Sequence, residues 1–334
     1  MASAGTQAGA LARPKPSLWA HIEIARMDHW VKNVFVLPGI VVAWSLQPGP
    51  LSGDLLLHIV LGIVATCLIA SSNYVINEVM DAPFDQHHPV KFSRPVPSGR
   101  VHVPLAFVEW IGLMIVGLAV SLAVSLPFAV TMFALWVMGC VYNIPPARSK
   151  DAPYLDVLSE SVNNPLRMLA GWFIVTSAIT PPASLLLSYW MVGCYFMALK
   201  RYAEYRDIGD PALSASYRKS FGFYNEQRLL SSVMFYSSAA MLFFGAFVMR
   251  YRVELIVAVP FVALVMAVYL NLAFKKDSVV QRPEGLYREK SLMVAVVACA
   301  IVMIATLLID LPVLKVIFAP TAPTAAARSA ASGS

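Results

Sequence analysis

Apolar residues run along this chain in long, nearly unbroken blocks. They lie near 31–46, 55–78, 103–122, 126–143, 156–179, 184–204, 229–249, 253–273 and 292–311. A helix needs about 20 mostly apolar residues to cross a bilayer, so the pattern predicts about nine membrane spans. The first block is short and carries Pro38, which sets its start back toward Met27. Ser125-Leu126-Pro127 and Thr180-Pro181-Pro182 leave almost no chain between neighbouring spans. Such short links require antiparallel neighbours, so the expected fold is an all-α, up-down bundle. The Ala/Gly/Pro/Ser-rich ends, 1–20 and 316–334, read as disordered tails around a membrane domain at 21–315.

Polar residues interrupt these blocks at a few places, and in a membrane such interruptions mark function. The second span closes on Asn73, Asn77, Asp81 and Asp85, spaced four apart and therefore on one helix face. Two carboxylates at that spacing repel unless a cation lies between them. An oxygen-only set suits Mg²⁺, which also takes phosphate oxygens. Pro83 cannot bond back to Val79, so the helix is expected to end near Asp81, with Asp85 in the next turn. His87, His88, Lys91 and Arg94 follow. The two cations are placed as expected for holding a metal and a polyanion together.

A second cluster, Tyr142, Arg148 and Lys150, leads into Asp156, Glu160, Asn163, Asn164 and Arg167. The latter set follows a helical period and forms a polar stripe on an apolar helix. A third closes the sixth span with Lys200, Arg201 and Glu204, where a local Lys200–Glu204 pair is the bland alternative. Lys32 and Asn33 lie at the mouth of the first span, and Lys32 could serve lipid phosphates or a substrate phosphate equally well.

Composition agrees with the block pattern. Hydrophobic residues make up 58% and charged residues 13%, with mean hydropathy +0.67. A soluble domain carries about 25% charge, so most soluble folds are excluded. Cys67, Cys140, Cys194 and Cys299 sit in apolar stretches without metal-ligand spacing and read as packing residues. The net charge of +6 would suit nucleic acid in a soluble chain. Here 20 of the 25 Lys and Arg fall on one side of a nine-span arrangement. That is the positive-inside pattern, which places the N-terminus in the cytoplasm and implies no nucleic-acid partner. The polar clusters all fall at cytoplasmic ends of spans. They suit an amphiphilic substrate with a phosphate head and a lipid tail. Walker and dinucleotide glycine patterns are absent.

The spacing of Asn77, Asp81 and Asp85, followed by Lys91, Arg94-Pro95 and Ser98-Gly99, resembles the first signature of the UbiA superfamily of intramembrane prenyltransferases. Trp30-Val31-Lys32-Asn33, His88-Pro89 with Lys91, Lys200-Arg201-Tyr202-Ala203-Glu204 and Tyr217-Arg218-Lys219-Ser220 are most similar to its decaprenyl-phosphate phosphoribosyltransferase branch. The resemblance covers about residues 20 to 310. It implies about nine membrane helices around a central cavity open to the cytoplasm, in the inner (cytoplasmic) membrane. It also implies Mg²⁺ at Asn77, Asp81 and Asp85, with Asp81, Asp85 and Asp156 catalytic. Substrate contacts would come from Lys32, Asn33, Asn73, Lys91, Arg94, Tyr142, Arg148, Lys150, Glu160, Arg167, Lys200, Arg201 and Glu204. In that branch a polyprenyl phosphate attacks phosphoribosyl diphosphate and pyrophosphate leaves.

Two features depart from the branch: Phe92 and Ser93 interrupt its basic run, and Pro145-Pro146 separates Tyr142 from Arg148 and Lys150. The second departure resembles branches in which a prenyl diphosphate alkylates an aromatic acceptor, with Asp156 deprotonating or orienting it. Transport along the polar stripes is a third reading. Membrane lipid is a partner in each, and homo-oligomerisation is left open.

Overall fold

The computed structural model describes residues 16–86 and 91–319, among which helices are the only regular elements. Two compact units form, and each is described by itself. The first comprises residues up to 44 together with 48–181 and 208–225; the second comprises 45–47, 182–207 and 226 onward.

The first unit opens with α1 (Leu18–Ile24), a 3₁₀ stretch (Met27–Val36) and α2 (Leu37–Leu46). These form one apolar stretch of 29 residues. It therefore starts earlier than the sequence block, and α1 already occupies the end of the expected 1–20 tail. Ser17 caps α1 by accepting the Ala20 N–H. Arg26, at φ 49°, turns the chain between α1 and the 3₁₀ stretch.

α3 (Gly53–Asp85) has 33 residues and is capped by Ser52, whose hydroxyl accepts from Leu55 N–H. At 1.5 Å per residue it is about 50 Å long, well beyond the ~30 Å hydrocarbon core. It does not stop at Asp81 as expected. Pro83 is tolerated because it forfeits only the bond to Val79, and the ladder resumes with Gln86 N–H on the Ala82 carbonyl at 3.1 Å. Asp85 is thus helical, one turn beyond Asp81.

α4 (Val103–Val124) and α5 (Leu126–Asn143) pack against α3. Ser125, between them, caps α5 by accepting Phe128 N–H. The block expected at 156–179 breaks into α6 (Leu155–Ser161) and α7 (Asn163–Val175). The polar stripe dilutes its apolar character, and neither piece alone is long enough to span. Among the described residues, eight other stretches have the length and apolarity of membrane helices.

Lipid tails are as apolar as the side chains, so close packing rather than water exclusion holds such helices together. Gly39 and Gly171 allow one such approach. A Cβ at Gly39 would stand 2.0 Å from the Met168 carbonyl oxygen, and one at Gly171 2.0 Å from that of Val36. Around this crossing lies a core of Val36, Ala65, Ile69, Phe128, Met132, Leu135, Ala170 and Ile174.

The 91–102 segment is fastened on three sides. Arg100 pairs with Glu23 of α1 at 2.9 Å. Buried Glu78 accepts the Val96 N–H at 3.0 Å. His21 pairs with Glu109 at 3.0 Å and accepts the His102 N–H at 3.4 Å. A short α9 (Pro211–Tyr217), capped by Asp210, completes the unit.

The second unit contains α8 (Ala183–Ile208), α10 (Glu226–Tyr251), α11 (Val259–Ala273), α12 (Lys290–Leu308) and α13 (Pro312–Ile317). Buried hydroxyls reach carbonyls across it: Ser188 donates to Ala240 at 2.9 Å and Tyr195 to Met266 at 2.6 Å. Arg252 donates to the Leu307 carbonyl at the end of α12, and Lys315 of α13 pairs with Asp310.

Candidate active site

In the first unit, the end of α3, the 91–94 turn and the 148–151 turn bring opposite charges together. Asp81 accepts from Lys150 at 2.5 Å and from Arg148 at 3.0 Å. Asp85 accepts from Arg94 at 2.7 Å, with Lys91 at 3.8 Å. Asp151 takes Arg148 at 3.2 Å and Lys219 at 3.2 Å. Five cations thus meet three carboxylates. Phe84 lies under two of them, 5.0 Å from the Arg148 guanidinium and 6.0 Å from the Lys219 ammonium. Arg148 holds φ 25°, a conformation that L-residues rarely adopt outside constrained sites.

Asn143, the last residue of α5, is the hub of this network. It accepts from Asn77 at 2.6 Å and from Lys150 at 2.8 Å, and donates to the Gly139 carbonyl at 2.9 Å. Lys150 is buried, and that burial draws its ammonium down to about 8 against the opposing pull of Asp81. Asn77 also directs its amide nitrogen toward Asp81 at 3.4 Å. Its amide nitrogen is engaged, so the carbonyl oxygen is what Asn77 can offer a cation.

The donor set is consistent with a hard cation. Asn77, Asp81 and Asp85 present oxygen alone, as Mg²⁺ prefers. No group of three or more His, Cys, Asp or Glu that could hold a metal occurs among the described residues. Substrate phosphate and water would have to complete the shell, the usual manner for Mg²⁺.

The polar stripe lies on α6 and α7. Tyr142 donates to Glu160 at 2.7 Å, and Lys150 stands 5.7 Å from the Tyr142 ring. Arg167 donates to Asn33 at 3.0 Å and to the Asn163 carbonyl at 3.4 Å, while Asn33 donates to Cys67 at 3.2 Å. Lys32 precedes Asn33 in the 3₁₀ stretch and is half-buried. Asp156 has no exposed surface and accepts the Tyr224 and Ser220 hydroxyls at 2.7 and 3.3 Å.

Asn73 is placed differently from its sequence neighbours. It donates to the Leu135 carbonyl at 3.0 Å and packs on Gly139, in the α3–α5 contact rather than beside the carboxylates. Lys200, Arg201 and Glu204 belong to the second unit, where Arg201 is buried and pairs with Glu204 at 3.1 Å. His87, His88 and Pro89 lie outside the described residues.

Sequence reasoning passed over Asn143, Asp151, Glu78, Phe84 and Tyr224. Asn143 and Asp151 carried a usable signal, since both are polar residues at the end of, or just after, an apolar block. Tyr224 carried none, because its partner Asp156 is 68 residues away.

Among curated relatives, the decaprenyl-phosphate phosphoribosyltransferase of Mycolicibacterium smegmatis is 29% identical over 195 residues, 57% of this chain and 58% of that protein. Its Corynebacterium glutamicum counterpart is 27% identical over 206 residues, 57% of this chain and 56% of that protein. The matched region thus spans just over half the length of these relatives. A UbiA homolog from Archaeoglobus fulgidus, solved with GPP and Mg²⁺ bound, superposes with a TM-score of 0.64 at 19% identity, covering 85% of this chain and 99% of that one. The likeness extends the all-α membrane architecture across most of the sequence. The UbiA prenyltransferase family model matches residues 34–284, and the chain belongs to that family of multi-pass membrane transferases.

Proposed function

We propose that the protein transfers a 5-phosphoribosyl group from phosphoribosyl diphosphate to a polyprenyl (decaprenyl-like) phosphate, releasing pyrophosphate, with Mg²⁺ as cofactor. The observation that carries this reading is the surplus of cations: Asp81 and Asp85 each meet two, and Lys219 adds a fifth on Asp151. A prenyl diphosphate offers one diphosphate. Phosphoribosyl diphosphate adds a phosphate monoester worth about −1.5 to −2 more charge, which the surplus would match. The names of the mycobacterial and corynebacterial relatives support the same choice.

Asn77, Asp81 and Asp85 would hold the Mg²⁺, which supplies positive charge for the departing diphosphate. Lys91, Arg94, Arg148 and Lys150 bind phosphate oxygens and stabilise the charge that grows as the bond from the ribose anomeric carbon to the diphosphate breaks. Asn143 orients Lys150 and Asn77 for that task. A phosphate oxygen of the lipid forms the new bond. It is already ionised at neutral pH, so no side chain need take a proton. Tyr142 on α5, Glu160 on α6, Arg167 on α7 and Asn33 in the first span would orient a second substrate. The transferase domain is 21–315, with its N-terminus and site facing the cytoplasm of the inner membrane.

A second reading is alkylation of an aromatic (4-hydroxybenzoate-like) acceptor by a prenyl diphosphate. It draws on the superposition with a structure that holds GPP and on the Tyr142–Glu160 pair, since an aromatic hydroxyl needs a proton acceptor nearby.

The test is purified protein in Mg²⁺-containing micelles, given labelled phosphoribosyl diphosphate with polyprenyl phosphate, or prenyl diphosphate with aromatic acceptors. Labelled lipid-linked ribose phosphate is the expected product. Its absence, with prenylated acceptor formed instead, selects the second reading. Turnover surviving in both Asp81→Asn and Asp85→Asn would refute either.

A further inference from the structure

Asp156 is buried completely, and two hydroxyls that it binds belong to a segment about sixty residues further along. Its Oδ1 accepts the Tyr224 hydroxyl at 2.7 Å and its Oδ2 the Ser220 hydroxyl at 3.3 Å. The Tyr224 oxygen in turn accepts the Tyr154 N–H at 2.6 Å. Tyr154 holds φ 63°, so the chain turns into α6 through a left-handed residue whose amide points at Tyr224. Rings close around the joint. Tyr154 stands edge-on to Tyr224 at 5.5 Å and to Phe223 at 5.8 Å, and Phe221 packs beside Tyr224 at 6.3 Å.

The far end of this segment reaches the charged site. Tyr217 stacks near Phe221 at 6.2 Å and presents its ring to the Lys91 ammonium at 5.1 Å. Lys219 meets Asp151 at 3.2 Å and Phe84 at 6.0 Å. The joint at Asp156 therefore fixes where two groups facing the carboxylates stand.

We propose that Asp156 is a positioning residue. It latches the 217–224 segment through Tyr224 and Ser220, and so sets the place of Lys219 and Tyr217 beside Lys91 and Asp151. An acid in contact with substrate would need a face open to it, whereas this carboxylate has no exposed surface and holds a hydroxyl on each oxygen. Undoing the latch leaves Asp81, Asp85, Arg94 and Lys150 in place and loosens one wall of the anion site. Its consequence for donor affinity rests on the function proposed above; the latch itself does not.

The test compares wild type with Tyr224→Phe, which keeps the ring and removes the hydroxyl, and with Asp156→Asn and the double variant. Hydrogen exchange of the full chain in detergent, without substrate, reads the latch directly. Amides of 217–224 are expected to lose about tenfold or more protection in Tyr224→Phe and in the double variant, because a hydrogen bond to a carboxylate is worth about one such factor, and less in Asp156→Asn, whose amide oxygen still accepts. The double variant should be no worse than Tyr224→Phe, and α3 and α5 should be unchanged. Affinity for pyrophosphate with Mg²⁺ should weaken several-fold, with KM for the donor rising more than kcat falls.

Unchanged exchange in 217–224, or additive losses in the double variant, would overturn the latch. A collapse of kcat in Asp156→Asn alone, with Tyr224→Phe normal and the segment protected, would make Asp156 a catalytic residue instead. A changed exchange pattern with no phosphoribosyl transfer would leave the latch standing and refute the donor.

Discussion

Gly139 and Asn73 make a paired test of how α3 is seated against α5. A Cβ added at Gly139 would lie 2.2 Å from Asn73 Cγ and Oδ1 and 2.5 Å from Nδ2. Ordinary contact needs about 3.5 Å, so Asn73 or the helix must move by more than about 1 Å. Moving Asn73 breaks its bond to the Leu135 carbonyl, worth about 0.5–1.5 kcal/mol net. Moving the helix overpacks the interface, for about 1–3 kcal/mol. Gly139→Ala is therefore expected to destabilise by about 2 kcal/mol. Asn73→Ala alone should do less. It loses the same bond but also removes Oδ1, a buried acceptor with no partner among the described residues. In the double variant the new methyl occupies the space that Asn73 vacated. Its stability should match Asn73→Ala alone, a coupling of about 2 kcal/mol. Reversible unfolding in mixed micelles measures all three, and turnover reports whether Asn77, one turn on, has shifted with the helix. Strictly additive losses, or a Gly139→Ala protein that unfolds like wild type, would refute the close contact.

Gly171→Ala should be harsher, because the added carbon meets the Val36 backbone oxygen at 2.0 Å and backbone cannot rotate away; about 3 kcal/mol of lost stability, or failure to accumulate, is expected in the same unfolding assay. Lys150→Met removes the shortest partner of Asp81 and one of the partners of Asn143, and kcat/KM should fall at least a hundredfold, about 3 kcal/mol, with the unfolding midpoint little changed. Glu78→Ala strips the Val96 N–H of its buried acceptor and releases the turn that carries Arg94, so donor KM should rise while Glu78→Gln, which still accepts, stays near wild type. The carboxylates hold the very cations a diphosphate would attract, so titration calorimetry should find Mg²⁺ and pyrophosphate each binding better in the presence of the other; independent binding would count against a shared site.

What the sequence made legible was whatever depends on local pattern. Among the described residues, eight stretches have the length and apolarity to cross a bilayer, and each overlaps an apolar block of the sequence; Asn77, Asp81 and Asp85 share a face by arithmetic alone. The structure departs from the pattern where a local rule competes with context. Pro83 was expected to end α3, but a proline removes one hydrogen bond, and a helix seated against α4 and α5 retains enough packing to continue through it. Asn73 fell in the same four-residue register as Asn77, yet a helix 33 residues long turns a given face from one environment to another. At Asn73 that face meets Gly139; one turn later it meets Asn143 and the cations. The 156–179 block shows the converse. Its polar stripe interrupts the span at Val162, and Asp156 lies at the start of a separate short helix. There it meets Tyr224, a partner that no periodicity announces. Registers predict which residues can share a surface. Which surface they face is decided by residues such as Gly139 and Tyr224, whose effect depends on distance in space and not along the chain.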